Sequence, residues 1–176
     1  MSAYRRLYIW VEGADDERFF RSLIGTQFEQ RFDEVTIRPY AGMPSEKVGN
    51  FLSSIKAMQA EYIFVADIDN SPCITSKKEA LLTRYKHLES GRIVIVKKEI
   101  ESWYRAGLDA SACGQLGFKQ LSDTEAVTKE QFHANRPTRF QSGIDFMIEV
   151  LKHFDSGTAC AQNKSFAYFC GKYGLL

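Results

Sequence analysis

Long apolar runs are missing from this 176-residue sequence. None approaches the ~20 consecutive apolar residues of a membrane-spanning helix. The stretch around Leu7 to Val11 is too short for the core of a signal peptide, so a soluble, cytoplasmic protein with no membrane partner is expected. Metal-ligand spacings of the zinc type are missing as well. The four cysteines, Cys73, Cys113, Cys160 and Cys170, form no CxxC pair, and the three histidines, His87, His133 and His153, stand apart. Four reduced thiols are expected. An excess of one charge is also lacking: 23 Lys+Arg face 22 Asp+Glu, a net charge of +1, which argues against a strongly basic nucleic-acid coat protein but allows a local basic strip. No repeat, linker or low-complexity tract interrupts the chain. With 44% hydrophobic and 26% charged residues, the chain has the composition of one globular domain that buries roughly 70% of its unfolded surface without disulfide or metal support.

What is present is an alternation of short apolar runs and helical periodicities. Leu7 to Val11 reads as a strand, Glu12-Gly13 as a turn, and Phe19, Phe20, Leu23, Ile24 and Phe28 as one face of a helix. Val35 to Tyr40 predicts a second strand, and Val48, Phe51, Leu52, Ile55 and Met58 a second helix. Tyr62 to Ala66 is apolar throughout, as in a strand buried on both faces of a parallel sheet. Beyond Pro72, Lys77 to His87 predicts a helix and Ile93 to Val96 a fourth strand. The expected fold is therefore α/β, with a mostly parallel central sheet of about four strands, helices on both faces and a C-terminal helical extension. Residues 1–106 form the expected core. Residues 107–176 hold an insertion, polar from Gly107 to Thr138 with a short helix near Thr128 to His133, and then helices on Ile144 to Phe154 and Phe166 to Tyr173, all packing on the same domain.

Three of the four predicted strands end in carboxylates: Glu12, then Asp67 and Asp69, then Glu99 and Glu101. Ligands of open parallel sheets bind beyond the carboxyl ends of the strands, so these acids occupy the expected site. Read as extended chain, Asp67-Ile68-Asp69 directs both carboxylates to one side, and so does Glu99-Ile100-Glu101. Such a cluster is tolerable only with protonation, nearby cations or a bound metal, and all-oxygen donors suit Mg²⁺ or Mn²⁺. Taken singly, each piece has a plain structural alternative: a capped helix entry at Gly13 to Asp16, an Asx turn at Asp67 to Asn70, a solvated strand end at Glu99 and Glu101.

Val11-Glu12-Gly13-Ala14-Asp15-Asp16-Glu17-Arg18-Phe19-Phe20 resembles the first motif of Toprim domains, in the form found in overcoming-lysogenization-defect nucleases, and Val65-Ala66-Asp67-Ile68-Asp69 resembles their DxD motif. Glu99 to Ala106 is similar to the acid-rich segment of small stand-alone Toprim-like proteins, some of them near mobile elements or phage-defence genes. The resemblance covers about residues 5–106. It implies a Toprim/Rossmann-like three-layer fold and a Mg²⁺-dependent nuclease acting on DNA or RNA. Glu12 would be the general acid or base, Asp67 and Asp69 metal ligands, and Asp16 with Glu101 or Glu99 a second metal site. Topoisomerase and primase activities would need companion domains for which the chain is too short. Lys97, Lys98 and Arg105 are candidates for phosphate contacts. Lys164 resembles a lysine offered to the transition state, though Asn163-Lys164-Ser165-Phe166 also reads as a helix start. Arg136, Arg139, Lys152 and Lys119 could supply a basic rim, while Trp103, Tyr104, Phe166 and Phe169 read as core rather than base-stacking platforms. Two other functions compete: a catalytically weak Toprim-like module that binds nucleic acid with a partner protein, and a receiver-type domain phosphorylated on an aspartate, against which the paired DxD acids argue.

Overall fold

The structure, a computed structural model, describes residues 4–175. Four strands, β1 (Arg6–Val11), β2 (Glu34–Pro39), β3 (Glu61–Asp67) and β4 (Ile93–Val96), form a parallel sheet in the order β2-β1-β3-β4. Trp10 stands beside Arg38 on one side and Phe64 on the other, which fixes the register of β1 in the sheet. Each crossover carries helix. After β1 come α1 (Ala14–Phe19), a π-helical turn (Phe20–Ile24) and α2 (Gly25–Glu29); α3 (Ser45–Ala57) follows β2, and α4 (Ile74–Arg84) follows β3. The fold is α/β, as the alternation predicts.

Both faces of the sheet are buried, which explains why β3 reads as an unbroken apolar run rather than an alternating one. On one face Trp10, Tyr62, Phe64, Ile93 and Ile95 pack with Val48, Leu52 and Ile55 of α3. Tyr40, just beyond β2, stacks on Phe64 with ring centroids 4.4 Å apart and meets Tyr85 edge-on. The opposite parity, Ile9, Val11, Ile63 and Val65, is equally buried.

The chain divides into two compact units between Ile95 and Val96. This division falls ahead of the acidic segment, so Glu99 and Glu101 belong to the second unit and not to the sheet-bearing first. The second unit is helical: α5 (Ile100–Ala106), α6 (Ala110–Leu116), α7 (Lys129–Ala134), α8 (Gly143–Lys152), α9 (Ser156–Gln162) and α10 (Lys164–Tyr173). Trp103, Tyr104, Phe166 and Phe169 are fully buried in its core, as predicted. The span 107–138 is more ordered than its polar pattern suggests. Asp109 caps α6, accepting the Ala112 N–H at 2.8 Å, and Gly117 closes that helix in a left-handed conformation. Thr128 and Gln131 form a capping box at the start of α7.

Candidate functional site

Glu12 directly follows β1, and Asp67 is the last residue of β3. Because β1 and β3 are parallel neighbours, their carboxyl ends lie side by side. The Glu12 carboxylate bridges the two tips: its Oε2 accepts the backbone N–H of Asp67 at 3.2 Å. From β1 the chain moves to β2 on one side, then returns across β1 to β3 and β4 on the other. The β1/β3 crevice is thus the topological switch point of the sheet, where open α/β folds bind ligands.

Asp16 joins this corner from α1. Its carboxylate turns back and accepts the Gly13 N–H at 3.2 Å, and the residue is buried. Gly13 has ordinary extended backbone, and a Cβ added there would meet nothing closer than Asp16 Oδ2 at 3.9 Å. The glycine is therefore required neither by the backbone angles nor by the packing around it.

Tyr40 was not singled out by any sequence motif, yet it reports on the charge of the corner. Its hydroxyl donates to the Val65 carbonyl at 3.0 Å. Burial, and after it the negative fields of Glu12, Tyr85, Asp16 and Asp67, push the phenol well above its ordinary range. Three carboxylates of the first unit thus act on one buried hydroxyl.

Neither acid pair lies on extended chain. β3 ends at Asp67, and Asp69 sits in a turn with φ of 51°, a left-handed conformation that aspartate tolerates better than most residues. The Asp69 side chain is 54% exposed and ion-paired with Lys77, whose side chain is 12% exposed. Asp67 and Asp69 are therefore not alternate positions of one strand. Glu99 and Glu101 differ from expectation in the same way, because the chain turns helical at Ile100. Glu99 is the N-cap of α5, accepting the Lys129 N–H at 2.6 Å. Glu101 lies in the first helical turn, 3% exposed, with Lys129 Nζ at 3.6 Å.

The proposed basic contacts separate. Lys98 is exposed. Lys97 pairs at 3.1 Å with Glu125, a buried acid in an irregular segment that no sequence pattern revealed. Lys164 is exposed at the first position of α10, behind the Asn163 cap, as the helix-start alternative predicts. Arg105 is 2% exposed inside the second unit.

Among the described residues, no three His, Cys, Asp or Glu side chains gather as a ready metal cluster. Glu12 and Asp67, with Asp16 behind them, still offer a purely oxygen donor set. Mg²⁺ commonly binds through one or two carboxylates and retains waters, so this pair fits such an ion where a closed cage would not be needed. Comparison of the chain with protein-family models, curated proteins and solved structures found no match.

Proposed function

We propose that the protein is a Mg²⁺- or Mn²⁺-dependent nuclease that cleaves phosphodiester bonds of DNA or RNA at the β1/β3 switch point. The observation that carries this reading is the Glu12 carboxylate held against the Asp67 N–H at the adjoining ends of parallel strands. The likeness of Val11 to Phe20 and Val65 to Asp69 to Toprim motifs supports it. Glu12 and Asp67 would hold the cation, which supplies Lewis-acid neutralisation of the phosphate. The chain's own groups do the rest. The Asp67 N–H orients Glu12 through Oε2, and Oε1 would take the proton of the water that attacks phosphorus or return one to the oxygen that leaves as the P–O bond breaks. Asp16 fixes the Gly13 turn, and the absence of a Cβ at residue 13 leaves the backbone open to a close-lying phosphate. Asp69 would join only on releasing Lys77.

With labelled DNA and RNA and added Mg²⁺ or Mn²⁺, cleavage by the purified protein is expected to fall at least ~100-fold in Glu12→Gln and in Asp67→Asn, the scale of losing an acid–base group. Cleavage undiminished in both variants would overturn the assignment. A second reading, a module that binds nucleic acid without turnover and acts with a partner protein, is favoured by the Lys77–Asp69 ion pair, which neutralises one acid of the DxD segment. It predicts nucleic-acid binding and no hydrolysis with either metal.

A further inference from the structure

Arg105 presents a different problem from the acids at the strand tips. Charged side chains are rarely buried without a counter-charge, because the desolvation of an ion is repaid only by a close opposite charge and saturating hydrogen bonds. The Arg105 residue is 2% exposed, yet among the described residues no carboxylate lies within ion-pairing distance of it. Its Nη1 donates to the Cys113 sulfur at 3.2 Å, its Nη2 donates to the Lys119 carbonyl, and its guanidinium lies 4.7 Å from the centroid of the Phe118 ring. A thiol and a single carbonyl are weak partners for a cation. Two of the five guanidinium N–H groups are engaged this way, which leaves three.

Arg105, its guanidinium against the Phe118 ring, is one of the residues lining a cavity of about 340 Å³ within the second unit. Phe118, Leu121, Val127 and Phe132 give this cavity apolar walls. Phe118 is itself braced by Phe146, with rings stacked at 5.4 Å, so that wall is fixed. The single carboxylate among the lining residues is Asp123, which is exposed and accepts the Glu125 N–H at 2.8 Å. The volume falls in the range of small-molecule sites, which pair apolar walls with a few fixed polar groups.

We propose that this cavity binds a small organic anion, its carboxylate or phosphate head on the Arg105 guanidinium and its flat or branched hydrocarbon body between Phe118, Leu121, Val127 and Phe132. The planar guanidinium fork matches either head in bidentate geometry. The site is independent of the strand-tip acids, and its test does not depend on cleavage of nucleic acid.

Benzoate and phenylphosphate serve as probes, with benzyl alcohol as the neutral control and inorganic phosphate as the head without a body. Titrations of the full chain are followed by calorimetry and by the backbone amide shifts of Gln131 and Asn135, which border the cavity. One or both aromatic anions are expected to bind at least ~10-fold more tightly than benzyl alcohol and inorganic phosphate and to move those amides. In Arg105→Met, which keeps the length and removes the charge, that advantage is expected to vanish while thermal stability holds or rises. Ala126→Phe places bulk on an exposed lining residue and is expected to block the probes with the guanidinium intact. No binding of either aromatic anion to the wild-type chain overturns the proposal, and so does binding that Ala126→Phe leaves unchanged.

Discussion

At Gly107 a single hydrogen atom in place of a side chain decides local packing. Its φ of −79° suits any residue, but a Cβ there would penetrate the ring of Phe154, and the Gly107 carbonyl accepts the Asp155 N–H at 2.9 Å, which ties the two segments together. Gly107→Ala is expected to cost about 1–3 kcal/mol, the usual scale of overpacking a fixed core position, measured by urea unfolding. Phe154→Leu in the same chain should recover part of that loss, whereas an unchanged midpoint in Gly107→Ala would show that the ring can move aside. The acids at the strand ends illustrate how far single residues were legible. Glu12 and Asp67 were visible because each closes an apolar run, and runs of that kind mark strand ends. Asp69 departs from the extended-chain expectation because a left-handed residue after β3 breaks the period of two, and Asp67-Ile68-Asp69-Asn70 reads equally as a strand end and as a turn. Tyr40 was invisible for a different reason: its importance lies in which carboxylates surround it, a property of the folded chain.

At the scale of elements, the start of α10 is held by a buried polar network. Asn163 is 1% exposed; its Oδ1 accepts the Phe166 N–H at 3.0 Å and the Ser165 hydroxyl at 2.8 Å, while its Nδ2 donates to Thr124 Oγ1 at 3.2 Å. The Trp103 indole donates to Ser165 Oγ at 2.8 Å, and the Ser165 N–H reaches Glu125 at 2.7 Å. Removing Asn163 deletes a helix cap and leaves buried partners unsatisfied. Asn163→Ala is therefore expected to lower stability by about 2–4 kcal/mol, with Asn163→Asp intermediate because it restores the cap acceptor but not the amide donor. Chemical denaturation of the three proteins checks the order. The long amphipathic elements α3 and α8 were legible from periodicity. Helices α6 and α9, seven residues each, span barely two turns and carry mainly small or polar residues, so what marks them in the sequence is their caps, Asp109 before α6 with Gly117 after it, and Asp155 before α9.

For the molecule as a whole, stability should depend on alkaline pH. Burial raises Tyr40, Tyr62 and Tyr85 above the ordinary phenol value in the first unit, and in the second it raises Cys160 and pushes Cys170 up to about 12. The sign follows from linkage: below the unfolded-state values both states keep these protons, and above them the unfolded chain releases protons that the folded chain retains. Stability is thus fully present at neutral pH and declines as pH rises past about 9 for the thiols and about 10 for the phenols. Urea midpoints between pH 8 and 11 should fall, and Tyr40→Phe should show a shallower fall while losing about 1 kcal/mol at neutral pH with its hydrogen bond to Val65. A flat profile in the wild-type chain would contradict the assigned burial.

The sequence by itself determined that the chain alternates strand and helix, that β3 is covered on both faces, and that acids follow the strands, because hydrophobic periodicity and composition are local properties that survive in one dimension. Strand order, and with it the switch point joining Glu12 to Asp67, was decided only by the tertiary structure, since which strands become neighbours depends on how the crossovers pack. The same holds for Arg105. Its charge is plain in the sequence, but its burial without an ion-pairing carboxylate among the described residues, beside an apolar-walled cavity, arises from helices brought together across the second unit.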